Sequence, residues 1–348
     1  MNAVIYILAK LHKNLEIQNA KNYCAEAINR IPGRKNNSWF FILRFLVSLQ
    51  SRLYLMEKKK ILFIVNPIAG KGKKEMFPSW VEALLDKSLY DYELLYTQAK
   101  GHGKQLAEEA IGRGIDIVAA VGGDGTVNEV AQALIGSDCI LAIVPFGSGN
   151  GLARMMHLPL QPPNAIKKVI NKCRSKSIDT ALVNGVPFVS IAGFGLDAET
   201  ADAFAKDGHR GFLTYSKIAV EKYFHAQIDG CTITLNDNVT FDSRPLMVTF
   251  ANSNQFGYEA KIAPKAVLDD GLLDVCILKK PILPAAPFVA TQLLAGHIHF
   301  SPYFQSLQAK KIFVQRKKNA VVNIDGEPVM MDKDLLVEVK PLSLKVLF

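Results

Sequence analysis

From residue 61 onward, short unbroken apolar runs alternate with stretches whose apolar residues recur every three or four positions. Continuous Val, Ile, Leu and Ala suit strands buried on both faces, whereas a 3.6-residue spacing suits helices packed on one. The pattern predicts strands over 61–65, 93–96, 115–121 and 140–144, separated by helices over about 75–87, 103–112 and 127–135. Strict alternation of this kind implies a parallel, doubly wound sheet, which takes its ligands at the carboxyl ends of the strands. Past Asp179 the rhythm changes. Strand-like pieces predominate, at 188–192, 231–235, 247–251, 273–278, 312–315, 320–324, 335–339 and 344–348, with helices over about 197–206, 213–226 and 284–295. Many short strands with turn signals between them predict a mostly antiparallel β domain.

Residues 1–55 do not share either pattern. Their most apolar stretch, 39–47, carries Arg44 in its middle and is about half the length of a membrane span. It also lies too far along the chain to suit a secretory signal. We expect an extension, with Met56 as an alternative start of the chain and an amphipathic membrane-docking segment as the second reading.

At 348 residues the chain is long enough for two domains, and 49% apolar against 21% charged residues is ordinary for a globular protein. The net charge of +9 favours anionic partners, whether phosphates, nucleic acid or an acidic membrane surface. No recognised module with interleaved basic and aromatic residues supports nucleic acid, which we exclude. Five scattered cysteines without CxxC spacing exclude a disulfide framework or zinc site and fit a reducing, cytoplasmic setting.

The chemistry concentrates at strand ends. Gly122-Gly123-Asp124-Gly125-Thr126 follows the 115–121 run and opens a helix. Glycines let backbone N–H groups approach an anion and the helix adds its positive end, so phosphates are the natural ligand. An aspartate there repels phosphate unless a divalent metal intervenes or it accepts a proton from an attacking hydroxyl, and both roles belong to phosphoryl transfer. A tight turn with Asp124 as a helix cap is the plainer reading. Asn66-Pro67 and Gly147-Ser148-Gly149-Asn150 occupy the other tips. Ile68-Ala69-Gly70-Lys71-Gly72-Lys73-Lys74 is a basic loop but not a P-loop, because no Ser or Thr follows the lysine. Asp325-Gly326-Glu327 fits either a site or a polar hairpin turn, and Asp269-Asp270-Gly271 either a cation loop or a solvated acidic turn.

These motifs, in this order over residues 58–348, resemble the diacylglycerol kinase catalytic family, which includes bacterial lipid kinases and the sphingosine and ceramide kinases. The resemblance implies an α/β nucleotide-binding domain at 58–178, a β-sandwich lipid-substrate domain at 179–334 and closing strands at 335–348 that could return to the first domain. ATP and Mg²⁺ would lie between the domains. By the same match, Asn66, Thr97, Gly122, Gly123, Gly125, Thr126, Glu129, Ser148, Asn150 and Arg210 surround the nucleotide. Asp124, Asp325 and Glu327 are the catalytic candidates, with the base left open between Asp124 and Asp325. Asp124 and Asp325 are also the metal candidates, and Asp270 would hold a structural Mg²⁺. Glu199, with Asp197 two residues earlier, falls where sphingosine kinases carry the acidic residue that meets the lipid headgroup. Gly151 stands where many bacterial diacylglycerol kinases have an aspartate, which turns the comparison toward the sphingosine kinase branch.

The function expected is therefore an ATP- and Mg²⁺-dependent lipid kinase acting on diacylglycerol or a sphingoid base. It would work peripherally at the anionic inner membrane surface, with a homodimer left open. A kinase of a soluble acceptor such as NAD, or a silent lipid-binding relative, is the alternative.

Overall fold

A computed structural model describes residues 58–70, 74–207, 211–257 and 259–348. The 1–55 extension, the alternative start at Met56 and the basic tripeptide Lys71-Gly72-Lys73 lie outside the described residues. Residues Lys59–Phe348 form one compact unit.

Its first half contains β1 (Lys59–Val65), α1 (Phe77–Leu84), β2 (Tyr90–Tyr96), α2 (His102–Gly112), β3 (Ile117–Gly122), α3 (Asp124–Leu134) and β4 (Ile140–Pro145). The strands lie parallel in the order β2-β1-β3-β4. All six residues of β3 are buried, which is why its sequence shows no alternation. β2 begins at Tyr90 rather than at 93. As the edge strand it keeps the polar Asp91 and Glu93, which hide its start in the sequence, while the buried Tyr90 donates its hydroxyl to the Ile170 carbonyl at 2.6 Å.

The chain continues through the short α4 (Gly151–Met155) and α5 (Pro162–Ala165), then β5 (Ser175–Val183), β6 (Val186–Phe188) and β7 (Ile191–Gly195). Next come α6 (Leu196–Asp207), α7 (Phe212–His225), β8 (Cys231–Leu235), β9 (Val239–Ser243), β10 (Met247–Ala251), β11 (Leu273–Leu278) and α8 (Ala286–Ala295). It closes with β12 (Phe304–Ala309), β13 (Lys311–Arg316), β14 (Ala320–Ile324), β15 (Glu327–Met331) and β16 (Asp334–Leu347). Beyond β4 the first sheet runs on through β16, β13, β8 and β9, with β5 and β6 attached to β16. A second sheet, β12-β11-β10-β7-β14-β15, faces this extension. Phe188, Phe250, Ile312 and Val337 fill the space between them, making a mixed α/β fold with a β-sandwich second half.

One departure concerns the end of the chain. Where two strands were expected at 335–339 and 344–348, a single strand runs with a bulge between Lys340 and Leu344. Leu342 there adopts φ +49° and donates its N–H at 2.7 Å to the buried Asp179 carboxylate, so the chain kinks without leaving the ladder. Val337 pairs with Ile312 of β13 while Val346 pairs with Leu141 of β4. The expected boundary at 178/179 falls inside β5. A further cluster, including Ile191, Met247, Ile262 and Val289, packs on the outer face of the second sheet under α8.

Candidate functional site

The loops after β1, β3 and β4 meet at one level, because hydrogen bonds carry the parallel ladder past the strand ends. Asn66 N–H reaches the Val121 carbonyl at 3.0 Å, Thr97 N–H the Val65 carbonyl at 2.9 Å, and Phe146 N–H the Gly122 carbonyl at 2.8 Å. Asn66 also donates its side-chain amide to Thr126 Oγ1 at 3.0 Å and accepts the Ile68 N–H at 3.0 Å, pinning its loop to the first turn of α3. A Cβ on Gly122 would lie 2.4 Å from Thr126 Oγ1, and one on Gly147 would lie 2.6 Å from the Cα of Gly123. Only glycine lets residue 122 pack under the Thr126 side chain and lets the 147 turn meet Gly123 backbone to backbone. Gly125 borders open space and Ser148 is exposed at the tip.

Asp124 joins two of these turns. Its Oδ2 accepts the Asn150 N–H at 2.8 Å and its Oδ1 the Gly151 N–H at 2.6 Å. Asn150 reaches that position at φ +50°, held by a 2.7 Å bond from its Nδ2 to the Gly147 carbonyl. Asp124 remains open to solvent, yet it stands at the floor of a cleft with protein on most sides. The loss of surrounding water pushes its pKa up, opposed by the two N–H donors and by Arg154.

Glu129 faces elsewhere. Its carboxylate accepts the Gly101 and Gly103 N–H groups at 2.9 and 3.0 Å, capping the start of α2 beside the half-buried Thr97. In the described geometry the Glu129 carboxylate is therefore engaged by the start of this helix.

From the second half, Asp325-Gly326 forms the two-residue turn between β14 and β15, at φ +50° and +90°, with Ile324 paired to Glu327. The hairpin reading and the site reading hold together here, because the same aspartate projects into a cavity. Asp325 Oδ2 accepts the Val189 N–H at 2.7 Å, and Oδ1 accepts those of Ser190 at 2.8 Å and Ile191 at 2.9 Å. Burial nevertheless raises its pKa to about 6, and the charge on Asp124 adds to the rise. Three donors leave one of roughly four lone-pair positions on the carboxylate for a proton. Glu327 instead pairs with Lys100 at 3.2 Å.

The cavity has a volume of about 470 Å³. Asp124, Gly151 and Asp325 border it, and its walls are largely apolar, with Val127, Leu196, Phe204, Met247 and Leu293 among them. Asp197 also faces it, buried, with Oδ1 accepting the Tyr215 hydroxyl at 3.0 Å and Oδ2 the Asn323 Nδ2 at 2.7 Å. Burial pushes the Asp197 pKa up. Glu199 does not line the cavity and is exposed. Two residues along a helix turn a side chain by about 200°, so Asp197 and Glu199 cannot face the same space. Arg210 lies outside the described residues. Asp270 is exposed, with its Oδ1 taken by the Leu272 N–H at 3.0 Å. Among the described residues no three His, Cys, Asp or Glu side chains gather as a metal site.

The sequence reading missed residues 252–257. Asn252 and Ser253 both donate backbone N–H bonds of 2.9 Å to the Ser190 carbonyl, behind the Asp325 clamp. Gly257 lies against Gly149 and Gly151, behind the Asp124 clamp, and the buried Gln255 between them lines the cavity. The available signal was a polar run, Asn-Ser-Asn-Gln, directly after a wholly buried strand.

Two family matches cover nearly all of this unit. Residues 60–183 match the diacylglycerol kinase catalytic domain and residues 190–348 the YegS C-terminal NAD kinase beta sandwich-like domain. The Bacillus subtilis protein named diacylglycerol kinase is 31% identical over 277 residues, covering 77% of this chain and 90% of that protein. A Pseudomonas aeruginosa protein named probable lipid kinase YegS-like is 30% identical over 299 residues, covering 84% of this chain and 95% of its own. A crystal structure of a diacylglycerol kinase from Bacillus anthracis shares the fold with a TM-score of 0.63, at 20% identity, over 83% of this chain and 97% of that one.

Proposed function

The chain belongs to the diacylglycerol kinase catalytic family of lipid kinases, and we propose that it transfers the γ-phosphate of ATP, with Mg²⁺, to a hydroxyl of a long-chain lipid held in the cavity. The observation that carries this reading is an apolar cavity of about 470 Å³ bordered by the Asp124 and Asp325 carboxylates. Apolar walls suit acyl chains, and a kinase of a soluble acceptor such as NAD would have no use for them. The glycine turns at 122–125 and 147–150 offer backbone N–H groups and close approach to the nucleotide phosphates.

Asp325 suits the part of the base. With its pKa near 6 it is mostly ionised at neutral pH and still able to take the hydroxyl proton as the lipid oxygen bonds to phosphorus and the bond to ADP breaks. Asp124 suits the metal. The two carboxylates are close enough for one to raise the other's pKa, and that surplus of negative charge fits a divalent cation, which Asp124 would hold. When bound, Mg²⁺ would neutralise charge on the transferred group. The acceptor sits in a bilayer, so the enzyme works at a membrane surface, where a net charge of +9 favours anionic lipid.

Diacylglycerol is the first acceptor to test. A sphingoid base is the second, favoured by Asp197, a buried carboxylate in the cavity wall that a lipid ammonium would stabilise. Purified protein incubated with labelled ATP, Mg²⁺ and a panel of diacylglycerol, sphingoid base, ceramide and NAD should label a lipid. Label in NAD alone would overturn the assignment.

A further inference from the structure

We propose that α7, α8 and the segment between β11 and α8 form a face that seats in an anionic bilayer around the mouth of the cavity, an inference that rests on the lipid-kinase reading. α8 has the sequence APFVATQLLA, without a charged residue, and only Val289 in it is buried. A solvent-facing helix ordinarily carries a polar stripe, and this one has none. Before it, Ile282 is 64% exposed, and within it Phe288 is 63% exposed. On α7, Leu213, Val220 and Phe224 follow one another by seven and four residues, so they share a stripe, and all three are exposed.

The two elements are joined. The Tyr223 hydroxyl on α7 donates to the Pro281 carbonyl at 2.6 Å, and Lys280 Nζ lies 5.3 Å from the Tyr223 ring centre. Val220, Ala290 and Leu294 are exposed and line the cavity as well, so the apolar face is continuous with the cavity wall. Its charge complements an anionic surface. Over 212–225 and 279–300 the chain has Lys217, Lys222, Lys279 and Lys280 against Glu221 alone. A ten-residue helix spans about 15 Å, half a hydrocarbon core. Among the described residues no helix is long and apolar enough to cross a membrane. The face therefore lies in the interface, apolar side chains down and lysines at headgroup level. A lipid could then pass from the bilayer into the cavity without exposing its chains to water.

The test compares the full chain with an Ile282→Ser, Phe288→Ser double variant, whose altered side chains do not line the cavity. Flotation with vesicles of phosphatidylcholine and phosphatidylglycerol should show partitioning reduced by at least about tenfold, the scale expected when two large apolar side chains no longer leave water. The melting temperature should hold, and an Ile282→Leu, Phe288→Leu variant should float like wild type. Turnover of a short-chain diacylglycerol below its aggregation concentration should stay within about twofold, while turnover of long-chain substrate in vesicles falls with partitioning. Equal flotation of wild type and the serine variant would overturn the proposal. So would a dimer of the wild type that the serine substitutions convert to monomer, which would make this a face between copies. If wild type floats through Ile282 and Phe288 yet labels no lipid, the face stands and the kinase reading falls.

Discussion

Asp325 holds three backbone N–H groups on two oxygens, so its replacement by Asn tests two roles at once. Asn offers one acceptor and turns an N–H₂ toward at least one of those donors, which should cost about 1–3 kcal/mol in chemical denaturation. If Asp325 is the base, turnover should fall by about 10² to 10⁴ as well. A folded variant with turnover near wild type would return the base to Asp124. The pH dependence follows from a folded-state pKa of about 6, raised above the ordinary carboxylate value chiefly by burial. Activity that needs the ionised base should drop as pH falls through about 6. Stability moves the other way. The folded state holds this proton more tightly than the unfolded chain, so the group's contribution is full below the unfolded value and is lost as pH rises through about 6. The stability of wild type relative to Asp325→Asn should therefore increase between pH 7 and 5. A difference that stays flat would mean the carboxyl titrates normally. At this scale Asp124 and Asp325 were legible from their motifs, whereas which of Asp197 and Glu199 borders the cavity needed the helix phase.

Among the elements, the start of α2 and the loop after β4 make contrasting predictions. Glu129 satisfies two N–H groups at the start of α2, those of Gly101 just before it and Gly103 within it. Glu129→Ala should destabilise by about 1–2 kcal/mol and leave ATP affinity within a few-fold, read by denaturation and by nucleotide titration. A large loss of ATP affinity in a stable variant would restore the nucleotide role expected from the motif. Gly149 tests the opposite case. A Cβ there would sit 2.6 Å from Asp124 Oδ2, so Gly149→Ala must displace either that carboxylate or the loop that clamps it. Turnover should fall at least about tenfold, the loss typical of a misplaced catalytic group. Wild-type kinetics would show that the Asp124 clamp tolerates movement. The hydrophobic pattern located most elements, but it divided β16 in two, because a bulge held by Asp179 from 163 residues away leaves no local mark.

For the molecule as a whole, β16 is the consequential strand. Its first part lies in the sandwich core and its last residues pair with β4 and β5 beside the parallel sheet. One ten-stranded sheet thus runs through both halves. Separate domains joined by a linker would melt separately, whereas a shared sheet couples them. A single calorimetric transition is expected, with calorimetric and van't Hoff enthalpies in agreement. Two resolved transitions would mean that β16 does not bind the halves into one cooperative unit.

The sequence by itself determined the alternation of strands and helices, the glycine turns at strand ends and the acidic residues within them. These signals are local: periodicity, turn chemistry and motif spacing depend on neighbours in the chain. It also carried the family resemblance, because the motifs keep their order along the chain. Tertiary structure alone decided which acid faces which space. Glu129 and Glu199 carry the same side chain as Glu327, but one caps a helix, one meets solvent and one pairs with Lys100. Likewise, no local feature sets Asp325 against the N–H groups of Val189–Ile191, or residues 252–257 behind both clamps, since those contacts join positions 62 to 136 residues apart. The raised pKa of Asp325 has the same origin, for burial is a property of what the fold stacks around a group and not of its neighbours in sequence.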